Sequence, residues 1–172
     1  MRGLRIPVAA LVLSAAGFGA ITLNESYTGT AVVPTQNDRP TVGFGSTFRA
    51  DGSPVRMGDT ITPTGAVQRS LAHIARDEAG LKTCVDAPLT QGEYDVLVDF
   101  SYQYGAAMTC RSSMVRMMNA GRYAEACQAY TLYKFSGGYD CSTRINGQPN
   151  KRCWGVWQRN LERRDRCLAA AN

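Results

Sequence analysis

The sequence predicts an α+β fold: a small β-hairpin region followed by a mainly helical lobe, behind a weakly hydrophobic N-terminal segment. Three observations carry this. Residues 26–47 are rich in Thr, Val, Gly and Pro, the composition of short strands joined by turns. From residue 63 onward the apolar spacing changes to a helical period. Arg2 and Arg5 precede 19 residues without charge, Ile6 to Asn24. The 172 residues suffice for one domain with a sizeable core.

Positive charge before an apolar run is the signal of an exported segment, with the arginines left in the cytoplasm. The run is diluted by Ala, Gly and Ser. As a helix over residues 7–23 it would measure roughly 26 Å, just short of a ~30 Å hydrocarbon core. It is expected to be an uncleaved anchor able to leave the bilayer. A cleaved signal peptide, processed near Ser14-Ala15-Ala16 or Phe18-Gly19-Ala20, and a buried core helix are the alternatives.

Strands are expected over residues 30–35 and 41–44, joined by a turn at Gln36-Asn37-Asp38-Arg39. Residues 45–62 are rich in Gly and Asp and fit loops and short strands. A helix is expected from Pro63 or Thr64 to about Lys82, with Val67, Leu71, Ile74 and Ala75 on its apolar face. Thr90-Gln91-Gly92-Glu93 has the pattern of a capping box and opens a second helix carrying Val96, Leu97, Phe100 and Tyr104. Shorter helices are expected at 112–119, 122–133 and 155–170.

The single histidine, His73, excludes histidine-rich metal sites, and the sequence holds no P-loop, nucleophile elbow or H-E-x-x-H pattern. No cofactor is expected. The net charge is +5, with 16 arginines among the 19 basic residues, which suits an anionic partner. Six cysteines without metal spacing point to an oxidising compartment. Cys141 and Cys153 are expected to pair, because a cross-link offsets the closure entropy of the Asn-, Gly- and Pro-rich loop between them. Cys84, Cys110, Cys127 and Cys167 leave three pairings open.

Glu25 is the first charge after the apolar run. A carboxyl beside apolar residues suits a general acid. Asp38, the next carboxylate, sits in a turn, where Asp ordinarily bonds its own backbone. The basic run Arg144, Lys151, Arg152, Arg159, Arg163, Arg164 and Arg166 is by default a solvated face, or else a patch for an anionic polymer.

An ordered set of segments resembles the phage muramidases of glycoside hydrolase family 24 over residues 20–170. The set comprises Glu25, Thr41-Val42-Gly43-Phe44-Gly45-Ser46-Thr47, Gly58-Asp59-Thr60-Ile61-Thr62, Leu97 to Gly105, Cys110 to Met114, Asn119-Ala120-Gly121, Ser136-Gly137-Gly138 and Gly155 to Cys167. The weak N-terminal run is similar to that of the signal-arrest-release (SAR) subgroup, which is exported tethered and inactive and later leaves the bilayer.

The resemblance implies a lysozyme-like fold and a catalytic trio of Glu, Asp and Thr. Glu25 fills the first place. One extra residue before the hairpin brings Thr41 to the threonine place and Thr35 to the Asp place, with Asp38 as the alternative should the loop rearrange. The implied activity is cleavage, with net inversion, of the β-1,4 bond between N-acetylmuramic acid and N-acetylglucosamine in host lysis. A wall-binding protein that has lost catalysis and a lytic transglycosylase are the competing functions. The implied organisation is an anchor over 1–24 and a muramidase domain over 25–172. The implied partners are peptidoglycan glycan strands and, before release, the host inner membrane. Nucleic acid is not an expected partner, the state is monomeric, and the site of action is the host periplasm.

Overall fold

The computed structural model describes residues 3–34 and 38–171. The anchor-like stretch is folded into the domain rather than forming one helix. Ile6 pairs with Leu89 through two backbone hydrogen bonds, and a 3-10 turn follows at Val8–Ala10. Helix α1 occupies only Ala15–Glu25, with the Ser14 hydroxyl accepting from the Gly17 N–H as its N-cap. Val8, Leu11 and Ile21 are buried in the main core. No described helix is long and apolar enough to cross a membrane.

The segment is also held by polar contacts. Arg5 is bidentate on Glu93, at 2.6 and 3.0 Å. Glu78 accepts from the Leu13 N–H at 2.7 Å, and Asp95 accepts from the Ser14 N–H at 3.0 Å. These contacts satisfy the irregular backbone between the 3-10 turn and α1, which has no helical partner of its own.

Beyond α1, strands β1 (Thr28–Val32) and β2 (Thr41–Gly43) form an antiparallel hairpin, with Val32 opposite Thr41. Thus β1 begins two residues earlier than expected and ends at Val32. A small core of Ala31, Val42 and Val55 holds this lobe together. The ion pair of Arg49 with Asp59, at 2.7 and 2.8 Å, braces the loops after β2.

Helix α2 (Pro63–Leu81) links the two lobes, capped by the Thr62 hydroxyl with Pro63 in its first turn. Its buried face differs from the expected one. Only Ile74 is shared; Leu71 is 48% exposed, and Ala66, Ser70, Asp77 and Leu81 point inward. The reason is proximity. A Cβ at Gly43 would stand 2.9 Å from that of Ala66, and Ser70 bonds the Tyr102 hydroxyl, so small and polar groups fit where larger apolar ones would clash.

Helix α3 (Gln91–Tyr104) carries the expected capping box and is buried along most of its length, including Leu97 and Phe100. Short helices α4 (Ala106–Cys110), α5 (Ser113–Asn119) and α6 (Tyr123–Gln128) surround it. Helix α4 was not foreseen. Two small hairpins follow, β3 (Phe135–Ser136) with β4 (Tyr139–Asp140) and β5 (Arg144–Ile145) with β6 (Gln148–Pro149). Helix α7 (Trp154–Ala171) packs across α3 and α6. The cysteines form Cys84–Cys110, Cys127–Cys167 and the expected Cys141–Cys153.

Candidate active site

Glu25 is the last residue of α1. The helix stops there because Ser26 adopts φ 54°, which turns the chain into β1. Its side chain, 21% exposed, is fixed from α7: the Arg159 guanidinium donates to Glu25 Oε1 at 2.6 Å and to the Asn24 carbonyl at 2.8 Å. One cation thereby clamps both the carboxylate and a free carbonyl at the end of its helix.

Behind Arg159 lies a buried relay. Gln103 Oε1 accepts from Arg159 at 3.4 Å and from Arg163 at 2.8 Å. Arg163, 1% exposed, bonds Asp99, which also accepts from Arg166 at 3.2 Å. A buried guanidinium persists only when its charge is paired in this way. The C-terminal basic run is therefore not one solvated face. Arg159, Arg163 and Arg166 follow the i, i+4, i+7 spacing of one helix side and turn inward. That spacing is the signal by which the sequence could have shown them.

The second Glu25 oxygen faces the hairpin. Gly45, at φ 74°, approaches so closely that a Cβ there would stand 2.8 Å from Oε2. The turn is hooked to the helical lobe by Tyr102, whose hydroxyl donates to the Phe44 carbonyl at 2.7 Å. That proton is committed, so the Ser70 hydroxyl at 3.1 Å is the donor to Tyr102. Burial raises the Tyr102 phenol above its usual range, which keeps it a donor. Tyr102 and Gln103, not singled out in the sequence, thus connect α3 to both sides of Glu25.

Thr41 opens β2 half-buried, its hydroxyl 3.5 Å from the Val32 carbonyl. Among the described residues no hydrogen bond joins it to Glu25. Asp38 is exposed and accepts from the Arg39 N–H at 2.9 Å, the local turn chemistry expected of it. Thr35, like Gln36 and Asn37 of the expected turn, lies outside the described residues. Among the described residues no cluster of His, Cys, Asp and Glu is arranged to hold a metal ion. The arrangement can present one anchored carboxyl group to a bond lying between the hairpin and the helical lobe.

Residues 24–153 match the family model described as Phage lysozyme. The chain is 30% identical over 156 residues to the SAR-endolysin of Pseudomonas phage phiKMV, covering 90% of this chain and 86% of that one. It is 31% identical over 98 residues to the endolysin of Salmonella phage P22, covering 57% of this chain and 67% of that one. The solved endolysin from Escherichia coli O157:H7 phage FAHEc1 superposes with a TM-score of 0.77 at 27% identity over 96% of each chain.

Proposed function

The chain belongs to the phage lysozyme family, and from there we propose that this peptidoglycan hydrolase uses Glu25 as general acid on the β-1,4 bond between N-acetylmuramic acid and N-acetylglucosamine. The supporting observation is the anchored carboxylate: Arg159 holds one oxygen while Gly45 leaves room beside the other. Glycoside cleavage needs a proton delivered to the leaving oxygen and a group on the opposite face that directs water. Glu25 delivers the proton. Thr41, at the start of β2, and Thr35 orient the water. Neither hydroxyl is a strong base, so the positive charge of the transition state draws its stabilisation mainly from positioning and from Glu25.

Residues 1–24 act as the releasable anchor and residues 25–172 as the muramidase domain. The enzyme is exported to the host periplasm, tethered to the inner membrane until release, and then acts as a monomer on glycan strands. Two points support the tether and its release. The SAR-endolysin of phage phiKMV is similar over 90% of the chain. In the folded segment Glu25 meets Arg159 while Val8, Leu11 and Ile21 are buried in the core, a packing that cannot coexist with residues 7–23 in lipid.

The experiment is digestion of purified peptidoglycan followed by mass spectrometry. Reducing N-acetylmuramic acid ends released by the wild type and not by Glu25→Gln are expected. Anhydro-muramic ends would identify a transglycosylase, and intact glycan a wall-binding protein without catalysis.

A further inference from the structure

Arg5 is one of the two arginines that precede the uncharged run, yet in the folded chain it lies where the two ends of the chain meet. Its guanidinium is bidentate on Glu93, at 2.6 and 3.0 Å, and stands 3.7 Å from the centre of the Tyr123 ring. The Ala171 carbonyl accepts from it at 3.4 Å. The ring is itself held, because the Tyr123 hydroxyl donates to the Pro88 carbonyl at 3.0 Å. Glu93 is fully buried. Its Oε2 also accepts from the Thr90 N–H at 2.8 Å, which closes the capping box of α3. Among the described residues Arg5 is the one cation paired with this carboxylate.

A buried carboxylate without a cation is strongly disfavoured. Arginine cannot shed its charge to cross a bilayer. Positive charge before an apolar run is retained on the cytoplasmic side. While residues 7–23 lie in lipid, Arg5 is therefore separated from the domain that carries Glu93 by a ~30 Å hydrocarbon core. In that state Glu93 has no cation, and the corner where α3 begins stays open to water. After release Arg5 fills it. Return to the bilayer then requires pulling Arg5 off both Glu93 and Tyr123, which strands a buried charge.

We propose that Arg5 serves twice: as a charge that orients the tethered segment, and as the latch that holds this segment on the domain after release. This rests on the tethered export proposed above and adds what makes the release one-way. Arginine suits the role because its fork engages both carboxylate oxygens while its flat face covers an aromatic ring. The latch lies at the opposite end of the segment from Glu25. It therefore acts on retention of the segment and leaves the chemistry at Glu25 alone.

The test is flotation of the purified full-length protein with vesicles of phosphatidylethanolamine and phosphatidylglycerol, with activity on peptidoglycan measured in the unbound pool. Glu93→Gln leaves Arg2 and Arg5 in place and, because glutamine also closes a capping box, keeps the start of α3. It should raise the bound-to-free ratio about tenfold, the scale of one charge-assisted hydrogen bond, with turnover in the unbound pool unchanged. Arg5→Lys keeps the charge but loses the fork, and should raise the ratio by a smaller factor. The double variant should raise it by less than the product of the two single effects, because both changes act on one pair. Asp59→Asn, which breaks the Arg49 pair in the hairpin lobe, should leave the ratio as in the wild type. Wild-type ratios in both Glu93→Gln and Arg5→Lys overturn the latch. An equal rise in Asp59→Asn overturns it too, since it marks a general loss of stability. The tether is scored separately, by fractionating cells that express the wild type and weighing the intact chain. A wild type that never appears in the inner-membrane fraction, or a mature chain that has lost Arg5, removes the tether and the latch together. A tethered full-length chain whose ratio is insensitive to both variants removes the latch alone.

Discussion

Arg159 Nη1 stands 2.6 Å from Glu25 Oε1, joining the first helix of the chain to the last across 134 residues. The same guanidinium holds the Asn24 carbonyl, so the orientation of the acid and the end of α1 are fixed by a single side chain. Arg159→Met should therefore lower kcat by about 10²-fold, the scale of a misplaced catalytic group, with KM little changed. Arg159→Lys keeps the charge but loses the two-pronged geometry, and should restore only part of the rate. Rates on peptidoglycan alongside circular dichroism check this; a methionine variant of full activity would remove the positioning role.

Glu25→Gln keeps the shape of the side chain and removes the transferable proton. Activity should fall by about 10²-fold or more while the melting temperature holds, because the loss lies in the proton transfer and not in packing. Near-normal turnover by a folded variant would assign the acid elsewhere.

Gly17 and Gly19 separate two roles of the N-terminal segment. A Cβ at Gly17 would stand 2.6 Å from Leu13 Cδ1 and 2.8 Å from Asp95 Cγ, whereas nothing lies within 4 Å of one at Gly19. Gly19→Leu adds apolar area without disturbing the folded form, so it should shift the protein toward the membrane fraction and leave the released fraction fully active. Gly17→Leu adds the same area and also blocks docking on α3, so its protein should be inactive even when solubilised. Fractionation with activity measured on each pool distinguishes the two; equal behaviour would refute a docking role for Gly17.

The disulfides should differ in weight. Chain entropy assigns about 3 kcal/mol to the Cys141–Cys153 closure and about 4 kcal/mol to Cys127–Cys167, whose sequence separation is 40 against 12. Cys127–Cys167 also ties α6 to α7 inside the core, so Cys127→Ser paired with Cys167→Ser should depress the melting temperature more than the matching pair at 141 and 153. Thermal melts of the two double variants provide the comparison.

Asp59 should make the hairpin lobe sensitive to acid. Its hydrogen bonds to Arg49, and then to the Arg56 N–H, lower the carboxyl from 3.8 to about 2. Folding thus favours the charged form. The stabilisation is complete above the unfolded value of 3.8 and disappears as the pH falls toward 2. Asp140, held chiefly by Lys134, behaves the same way in the C-terminal hairpins. The melting temperature should drop between pH 4 and 2, and Asp59→Asn should flatten part of that drop. An unchanged profile in the variant would remove the Arg49 pair as its cause.

Elements governed by neighbours in sequence were legible without coordinates. Thr90 to Glu93 capped α3 as its pattern indicated, because a capping box is closed by residues three apart. Pro63 opened α2, and Cys141 paired with Cys153 across a short loop. The ordered motif set pointed to the family that the comparisons then established, and Glu25 stood out because it ends an uncharged run. What the sequence could not decide was which face of each helix is buried. Leu71 is exposed and Ala66 covered because β2 comes close at Gly43, and Arg159, Arg163 and Arg166 turn inward because Glu25 and Asp99 wait there. The carboxylates that pair with those arginines lie more than 60 residues away in the chain. A periodic pattern shows which residues share a side of a helix, but whether that side meets water, a carboxylate or another backbone depends on contacts that form only when the chain closes on itself.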